Sequence, residues 1–574
     1  MFRQNEEHRQ QSFFSGEHLL PDKLRARLRS SWAETFYEEL FCRIDETLFA
    51  PLFSDEASRP NSPVNVLMGA EILKSGFGWS DEELYDQVCF DLQVRHALGL
   101  RDLGAEIFVL RTLYYFRQRV REYAWESGVN LIQKVFEQVT DSQLETVKIA
   151  TGWQRMDSTQ VLSNLVKMTR LQLLVSVLQK VHQGLPASMQ AAWGERWQFY
   201  LEKRPHQVCH QVAAAEVEEH LLTIGEELSA VETELTQGAP KSEALRLVRR
   251  VLDEQYTREP GKLTLRPESE VPSDSLQSPH DPDATYRVKG GATYCGGYVV
   301  NVSETADPEN PVQLITDLQV EPNRADDAHL LEQSLDNQVG RGIEVKQVTT
   351  DGGYTGPQGQ AACDAHHVRL RATRMRGGYP SSEQWGYDQY GWEQDDDGTP
   401  IGVTCPEGHQ AELIPGRAEG CYLARFDPER CGTCEFFRGL CRVKEGKRVP
   451  PTLYMQRRSI DSARRRQQLC PEDGPIRTLV ESTVRSLKRG FPGSKLPVRG
   501  LVRARMVLYP AALMVNLRRL HHHFEKKGEE ASQGITTFLS LLKVALLRHS
   551  SPIFRRFSML LTADCARQLP SAAK

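Results

Sequence analysis

The spacing of apolar and polar positions divides the chain into helical and strand-forming parts. Apolar residues recur with a helical period to about residue 130, and Ser80-x-x-Glu83 is a capping box that predicts a helix start. A second helical pattern, rich in Leu, Gln and Glu, covers about 166 to 256. Three β-runs follow, TYCGGYVVNVSE, PVQLITDLQV and EVKQVTTD, with the helical DDAHLLEQSLDNQVG between the last two. We therefore predict an α/β fold with a mixed sheet, combined with helical regions.

Changes in composition set the expected boundaries. The Pro-, Ser- and acid-rich segment before the β-runs predicts a linker. The predicted parts are a helical N-terminal domain (1–150), the first core strand (151–165), a helical insertion (166–258), the linker (259–284), the core strands and helices (285–375), a small Cys-rich, zinc-ribbon-like insertion (376–450), the C-terminal helical part of the core (470–525) and a helical tail (526–574).

The net charge of −5 argues against a general polyanion binder, so any DNA contact must come from local basic segments. Such segments occur at 457–466 and 477–519. In the N-terminal region, Arg111, Arg117, Arg119 and Arg121 favour DNA recognition by short helices, and the alternative is a plain helical packing domain. The N-terminus lacks an apolar signal region, and charged residues interrupt the late apolar stretch FLSLLKVALLRHS. We therefore expect a cytoplasmic protein that has no membrane partner.

The cysteines predict a structural zinc site. Five of the twelve fall between Cys405 and Cys441, unlike the even framework of a secreted disulfide protein. A two-residue gap lets two thiolates reach one tetrahedral ion, and four protein ligands leave no position for a reacting water. His409 or Cys421 could replace one ligand, and the alternative is a set of reduced, partly buried cysteines. The preferred ligands are Cys405, Cys431, Cys434 and Cys441.

Candidate catalytic chemistry begins with Arg477-x3-Glu481-x6-Lys488, whose spacing puts the three side chains on one helix face. Residues 477–524 hold ten Lys or Arg and a single acid, Glu481. An isolated carboxylate among cations suits a metal ligand surrounded by phosphate contacts. The alternative is an ordinary solvated helix surface.

Hard divalent ions prefer oxygen ligands, so a metal site needs further acids. Asp351 ends a β-run before Gly-Gly, where an acid faces the ligand crevice of an open α/β sheet. Asp157, in WQRMDSTQV, is the second candidate. The alternatives are that Asp157 begins a turn or caps a helix starting near Ser163, and that Asp351 is a turn acid stabilised by the glycines.

The order Asp157, Asp351, Glu481 resembles that of the DDE transposases of bacterial insertion sequences, whose signature is Tyr-x2-Arg-x3-Glu-x6-Lys. Gly474 stands where that signature has tyrosine, which puts the supporting role of the tyrosine in doubt. SPHDPDATYRVKGG, LITDLQV and GWSDEELYDQVCFDLQVRHALGL resemble the branch with a cysteine-rich insertion, the eleven-eighty-two insertion-sequence family. The resemblance covers most of 63–520.

The resemblance implies a ribonuclease-H-like core that is interrupted after Asp157 and again between Asp351 and Glu481. It implies that these three acids hold Mg²⁺ (or Mn²⁺), with Glu481 completing the site, for two-metal-ion cleavage and joining of DNA. The residues expected to contact DNA phosphates are Arg477, Arg485, Lys488 and Arg489.

The implied partners are double-stranded DNA, as element terminal repeats and as target, and a second copy of the chain, since two ends must be synapsed. The implied setting is the bacterial cytoplasm, in association with the nucleoid. His521, His522 and His523 are expected to be surface or DNA-contact residues. The alternative functions are a metal-dependent DNA nuclease on the same fold and a non-catalytic, zinc-bearing DNA-binding protein.

Overall fold

The computed structural model describes residues 1–548 except 11–14, 55, 57–59, 105–106, 260, 290–291, 376–383, 396–397, 438 and 447–448. The part of the expected helical tail from 549 to 574 lies outside the described residues. Within the described part of the chain, no helix is long and apolar enough to cross a bilayer.

Short helices make up most of the N-terminal region. Ser80 Oγ accepts a hydrogen bond from the Glu83 amide at 3.1 Å, and Glu83 Oε2 accepts one from the Ser80 amide at 2.7 Å, which confirms the predicted capping box. Helix α3 is buried on nearly every side, so its apolar sequence has no polar face. The helices are α1 (Asp22–Arg29), α2 (Trp32–Glu39), α3 (Val64–Phe77), α4 (Asp81–Phe90), α5 (Leu92–Ala97), α6 (Leu110–Ser127) and α7 (Leu131–Val147).

Strand β1 (Trp153–Leu162) is followed by a helical insertion with its own hydrophobic core, which is built around Trp193, Trp197 and Tyr256. Because this core is separate from that of the sheet, the insertion leaves the pairing of β1 undisturbed. Its elements are α8 (Arg170–Gln183), α9 (Ala187–Arg196), α10 (Gln198–Leu201), α11 (Pro205–Gln211), α12 (Val217–Gly238), α13 (Glu243–Gln255) and the hairpin β2 (Tyr256–Glu259) and β3 (Lys262–Leu265).

The chain then completes a mixed sheet, which confirms the α/β prediction. The order is β4-β5-β1-β7-β8, and β6 pairs with the same edge of β5 as β4 does. Strands β1, β7 and β8 are parallel, whereas β5 is antiparallel to β1. These elements are β4 (Thr285–Lys289), β5 (Ala292–Thr305), β6 (Ile315–Pro322), α14 (Asp327–Gly340), β7 (Gln347–Thr350), α15 (Pro357–Ala365) and β8 (Arg369–Ala372).

The cysteine-rich segment forms a second, antiparallel sheet in the order β13-β14-β12-β11-β10-β9, with its own core around Tyr390, Val403 and Leu453. It interrupts the chain between β8 and the C-terminal helices. Its elements are β9 (Gly391–Gln394), β10 (Pro400–Thr404), β11 (Gln410–Pro415), β12 (Cys421–Arg425), α16 (Pro428–Gly432), β13 (Lys444–Gly446) and β14 (Val449–Gln456).

Helices α17 (Arg457–Gln467), α18 (Gly474–Leu487) and α19 (Leu501–Arg548) follow. Helix α18 packs on β1 and β5, and α19 packs along α3, α7 and β6. One hydrophobic core therefore joins the N-terminal helices, the mixed sheet and α19. The loop after α18 passes close to the end of α3, where a Cβ at Gly490 would lie 2.5 Å from the Ser75 carbonyl oxygen. Glycine at 490 permits this approach.

Candidate active site

Parallel pairing of β1 and β7 places Asp157 and Asp351 at the same end of two neighbouring strands. The last paired residues are Arg155 and Thr349, so Asp157, on β1, and Asp351, in the turn after β7, each follow the paired segment by two residues. Strand β7 ends at Thr350, which confirms that Asp351 follows the carboxyl end of a strand. The alternative that Asp157 caps a helix near Ser163 is wrong, because β1 continues to Leu162.

Arg477 connects Asp157 to Glu481. Its Nη2 atom lies 3.7 Å from Asp157 Oδ2 and 3.5 Å from Glu481 Oε1. Arg477 and Glu481 are one turn apart on α18, and that helix packs on β1. The Glu481 side chain is 53 % exposed, whereas that of Asp157 is 16 % exposed. The structure thus places Asp157 and Asp351 at the same end of neighbouring strands and links Asp157 to Glu481 through a shared guanidinium.

A buried tyrosine and a further acid complete the surroundings. The Tyr354 hydroxyl donates a hydrogen bond to Asn301 Oδ1 at 2.7 Å. Burial, followed by the negative charges of Asp327, Asp157 and Asp351, raises the pKa of Tyr354 well above its usual value. Three carboxylates therefore surround one phenol.

Asp327 is a site residue that sequence reasoning missed. It is buried at the start of α14, and its Oδ1 atom accepts a hydrogen bond from the Ser158 hydroxyl at 2.7 Å. The stretch DDAHLL marks only a helix start, and nothing in it indicates proximity to Ser158. Asp351 also accepts a hydrogen bond from the Gly353 amide at 2.7 Å, so it serves as a turn acid as well as lining the site.

A buried ion network fixes α18 over the sheet. Glu304 on β5 accepts hydrogen bonds from Arg155 Nε at 2.6 Å, from Arg519 Nη1 at 2.7 Å and from the Thr483 hydroxyl at 2.7 Å. The Glu304 side chain has no exposed surface. Strands β1 and β5 and helices α18 and α19 therefore meet at one carboxylate, and the position of α18 determines where Arg477 and Glu481 lie.

The remaining cations predicted to contact DNA have different environments. Lys488 Nζ donates hydrogen bonds to Thr159 Oγ1 at 2.6 Å and to the Gln160 carbonyl oxygen at 2.7 Å, so it ties the end of α18 to β1. Arg485 and Arg489 are exposed and follow Glu481 at intervals of four residues. Arg485 extends the Glu481 face of α18 toward solvent, and Arg489 lies in the 3-10 turn just after that helix.

Four cysteines meet in the cysteine-rich sheet. Burial, followed by the neighbouring Cys441, Cys405 and Cys434, raises the pKa of the Cys431 thiol to about 11. The His409 amide donates a hydrogen bond to Cys405 Sγ at 3.3 Å. Cys421 instead begins β12 and packs against Gly416. The cysteines that come together are those preferred from the spacing, Cys405, Cys431, Cys434 and Cys441.

The donor chemistry of both groups suits metal ions, although their arrangement is not that of a metal site. Among the residues that the structure describes, no group of three or more His, Cys, Asp or Glu side chains is arranged so that it could hold a metal ion. Carboxylate oxygens are the ligands preferred by Mg²⁺, and thiolates are preferred by Zn²⁺. A cation between Asp157 and Glu481 would have to displace the guanidinium of Arg477, which contacts both.

Other predicted contacts lie away from the acids. Arg117 donates to Glu71 at 2.6 Å and pairs with Asp81 at 2.7 Å, so its charge is balanced inside the protein. Arg111 donates to the Tyr115 hydroxyl at 2.8 Å, and Arg119 lies over the Phe53 ring. His521 Nδ1 lies 2.9 Å from Thr35 Oγ1 on α2.

Comparison with known proteins gives one partial similarity. No curated protein sequence matches the chain. Residues 25–119 match the family model of a transposase domain (DUF772), and this segment extends from within α1 into α6. Because α3 packs on α19 and shares a core with the sheet, the matched segment is part of the body that carries the acids. The chain is therefore similar to transposases in its N-terminal helices, which supports a transposase family for this protein.

Proposed function

We propose that this protein is a DDE-type DNA transposase of the eleven-eighty-two-like family. It binds the terminal inverted repeats of an insertion sequence, cleaves the element ends and joins them to target DNA by two-metal-ion phosphodiester transfer. The observation that carries the proposal is the β1–β7 register, which places Asp157 and Asp351 at the same end of neighbouring strands in a chain whose N-terminal helices match a transposase domain. The link through Arg477 to Glu481 adds the third acid.

The mixed sheet is, in this proposal, the ribonuclease-H-like core that the sequence resemblance implies. The strand order and directions support this, with two parallel neighbours on one side of β1 and antiparallel strands on the other. The two insertions also support it, since one follows the strand of Asp157 and the other separates Asp351 from Glu481.

Each residue then has a defined task. Asp157 and Asp351 are the principal Mg²⁺ (or Mn²⁺) ligands, and Glu481 completes the set. The bound ions would supply an activated water or 3′ hydroxyl and stabilise the leaving oxygen. Arg477 contacts two of these carboxylates, so it is available to donate to a phosphate oxygen once they hold cations instead.

Around these acids, Arg485 and Arg489 contact DNA phosphates from the exposed face of α18. Lys488 maintains the contact between α18 and β1 and turns to the terminal strand when DNA binds. Lys488 then has both the predicted phosphate contact, in the DNA complex, and the hydrogen bonds to Thr159 and Gln160, in the free protein.

The cysteine-rich sheet holds a structural Zn²⁺ in this proposal. The four neighbouring thiols would supply the four ligands of a tetrahedral site once zinc draws them together, and the His409 amide already donates to one of the sulfurs. Because thiolates bind zinc, a thiol pKa near 11 for Cys431 means that metal binding releases protons.

The proposed partners are double-stranded DNA, both element ends and target, and a second copy of the chain in a dimer or higher assembly. Two element ends have to be held together for joining, and this requires more than one active site. The proposed location is the bacterial cytoplasm, on the nucleoid.

The test is cleavage and joining of a labelled duplex that carries the ends of the flanking element, in the presence of Mg²⁺. Native protein is compared with Asp351→Asn and with Asp364→Asn, a matched change of an exposed acid on α15. We expect joined product from native protein and Asp364→Asn and none from Asp351→Asn.

The other outcomes of this experiment would support one of the two alternative functions. Cutting without joining would favour a metal-dependent nuclease. Specific DNA binding with no reaction in any of the three proteins would favour a non-catalytic DNA-binding protein.

A further inference from the structure

A cleft lined by cations lies where the N-terminal helices meet the start of α19. Its volume is about 640 Å³, and α3, α6 and the loop before α19 form its walls. Tyr114 is 46 % exposed beside it, and Arg499 and Arg503 are also exposed, so large ligands can approach. Its cations are Lys74, Arg117, Arg121, Arg499 and Arg503.

Only part of this positive charge is balanced. Lys74 pairs with Asp81 at 2.8 Å, and Arg117 pairs with Glu71 and Asp81. Within the described residues, by contrast, Arg121, Arg499 and Arg503 form no ion pair with an acid. Arg499 Nε donates to the Asn164 carbonyl oxygen at 2.7 Å, which positions the side chain without neutralising it.

Two of these guanidinium groups repel each other. Burial, followed by the charge of Arg121, lowers the pKa of Arg503, and the buried Asp281 opposes this only in part. Holding like charges together costs stability, and an anion that entered the cleft would recover that cost. The arrangement is therefore suited to binding a polyanion and unsuited to stabilising the free protein.

Strand β1 connects this cleft to the acids. Asn164 lines the cleft, and its amide donates to the Val498 carbonyl oxygen at 3.4 Å. Asp157 precedes Asn164 by seven residues, and β1 ends at Leu162, so the distance is at most roughly 23 Å at about 3.3 Å per extended residue. This corresponds to at most about seven nucleotides of one DNA strand at 3.4 Å each. Arg485 and Arg489 are exposed, and Lys488 between them bonds to β1 at Thr159 and Gln160.

We propose that this cleft grips the phosphate backbone of duplex DNA within about seven nucleotides of the phosphodiester that reacts at Asp157 and Asp351. The proposal rests on the proposed function, because the distance is counted from the cutting site. Guanidinium groups are suited to the task, since they bind phosphate oxygens in a bidentate manner. The cleft thereby fixes the distance between the region that matches a transposase domain and the phosphodiester that reacts.

The first experiment measures how DNA affinity depends on salt. The full chain is titrated onto a fluorescein-labelled duplex of about 30 base pairs, roughly 100 Å long, and anisotropy is read over a salt series. Replacing Arg121 and Arg503 together by Gln should reduce the log–log salt slope by about 1.8 and weaken binding about 30-fold near 0.15 M salt. Arg417→Gln, a change at an exposed arginine in the cysteine-rich sheet, is the matched control and should behave as native.

Stability separates loss of binding from loss of folding. Since Arg121 and Arg503 repel each other, the double variant should melt at or above the native temperature. Arg503→Lys keeps the charge and should retain the native salt slope. If the double variant folds and its salt slope equals that of the native protein, the proposal is overturned. It is also overturned if Arg503→Lys lowers the salt slope as much as the double variant does.

A second experiment tests the distance. Single neutral methylphosphonate linkages are placed along the duplex and counted from the cut. Native binding should weaken for linkages within about seven nucleotides of the cut on the side of the cleft, and the double variant should show no additional loss there. Sensitivity confined to other positions would refute the spacing.

The two proposals fail in different ways. If the native protein joins DNA while the double variant keeps its slope, the cleft assignment fails and the transposase function stands. If no protein cuts DNA but the slope still falls, the cleft binds DNA in a non-catalytic protein, and the proposed function and the distance fail together.

Discussion

Replacing Glu304 by Gln tests whether the buried network holds the active-site helix on the sheet. Glutamine has nearly the same shape, but it removes the negative charge and turns one acceptor oxygen into a donor amide. The one oxygen that remains can accept either from Arg155, which is 6 % exposed and contacts Glu304 at 2.6 Å, or from Arg519 and Thr483, which contact it at 2.7 Å. In either orientation the two arginines no longer face a negative charge.

The expected magnitude follows from burial. Removing one partner of a buried ion pair costs about 3–5 kcal/mol, because the remaining charge is left without compensation. Arg519 is 22 % exposed, so water offsets part of its loss, and a value near the lower end, about 3 kcal/mol, is expected. For a cooperative unit of about 150–250 residues, a loss of 1 kcal/mol in the free energy of unfolding lowers the melting temperature by about 2–4 °C. The melting temperature should therefore fall by about 6–12 °C.

Scanning calorimetry of the full chain measures this change, and Glu344→Gln is the matched control. Glu344 is 68 % exposed and pairs with Lys346 at 3.0 Å, so its replacement should cost less than about 1 kcal/mol. Adding Arg519→Gln to Glu304→Gln should cost less than the sum of the single changes, because both belong to one network. Equal melting temperatures for Glu304→Gln and Glu344→Gln would refute the reasoning.

Three further predictions concern other parts of the molecule. Lys488→Met should destabilise the protein by about 1–3 kcal/mol even without DNA, because it removes the charge-assisted hydrogen bonds to Thr159 and Gln160. A melting temperature equal to that of the native protein would show that Lys488 contributes only to DNA binding. Burial raises the pKa of Asp81, but hydrogen bonds from Arg117 and Lys74 outweigh this and hold it at about 2, below the ordinary 3.8. The ionised Asp81 carboxylate therefore stabilises the folded protein above about pH 3.8, and this stabilisation is lost as the pH falls toward 2. Calorimetry over this pH range should show a smaller fall in melting temperature for Asp81→Asn than for the native protein. Metal analysis of the purified protein should find bound zinc. The zinc content should fall greatly in Cys434→Ser and stay at the native level in Cys421→Ser, and equal zinc in the two variants would contradict the proposed ligand set.

Local features followed from the sequence because short-range geometry sets them. The capping box at Ser80, the strand that ends before Asp351 and the shared helix face of Arg477 and Glu481 each depend on residues within a few positions of one another. Spacing predicts such features without knowledge of the rest of the fold. The mixed sheet followed in the same way from β-runs alternating with a helical segment.

Long-range pairing decided the rest. Asp157 and Asp351 reach the same end of neighbouring strands only through the β1–β7 register, and the burial of Asp327 and Tyr354 depends on that same sheet. The helical period of α18 predicts Lys488 beside Glu481, but bonding to β1 draws its side chain to Thr159. Such contacts join residues far apart in the chain, and no local spacing encodes them.

Charge shows the same division. The sequence by itself determined which residues carry charge and that they cluster locally in a chain of net charge −5. Tertiary structure decided that the charge of Arg117 is balanced by Glu71, whereas Arg121 and Arg503, which are far apart in the chain, line the same cleft. The physical reason is that the effect of a charge depends on the burial and neighbours that folding provides.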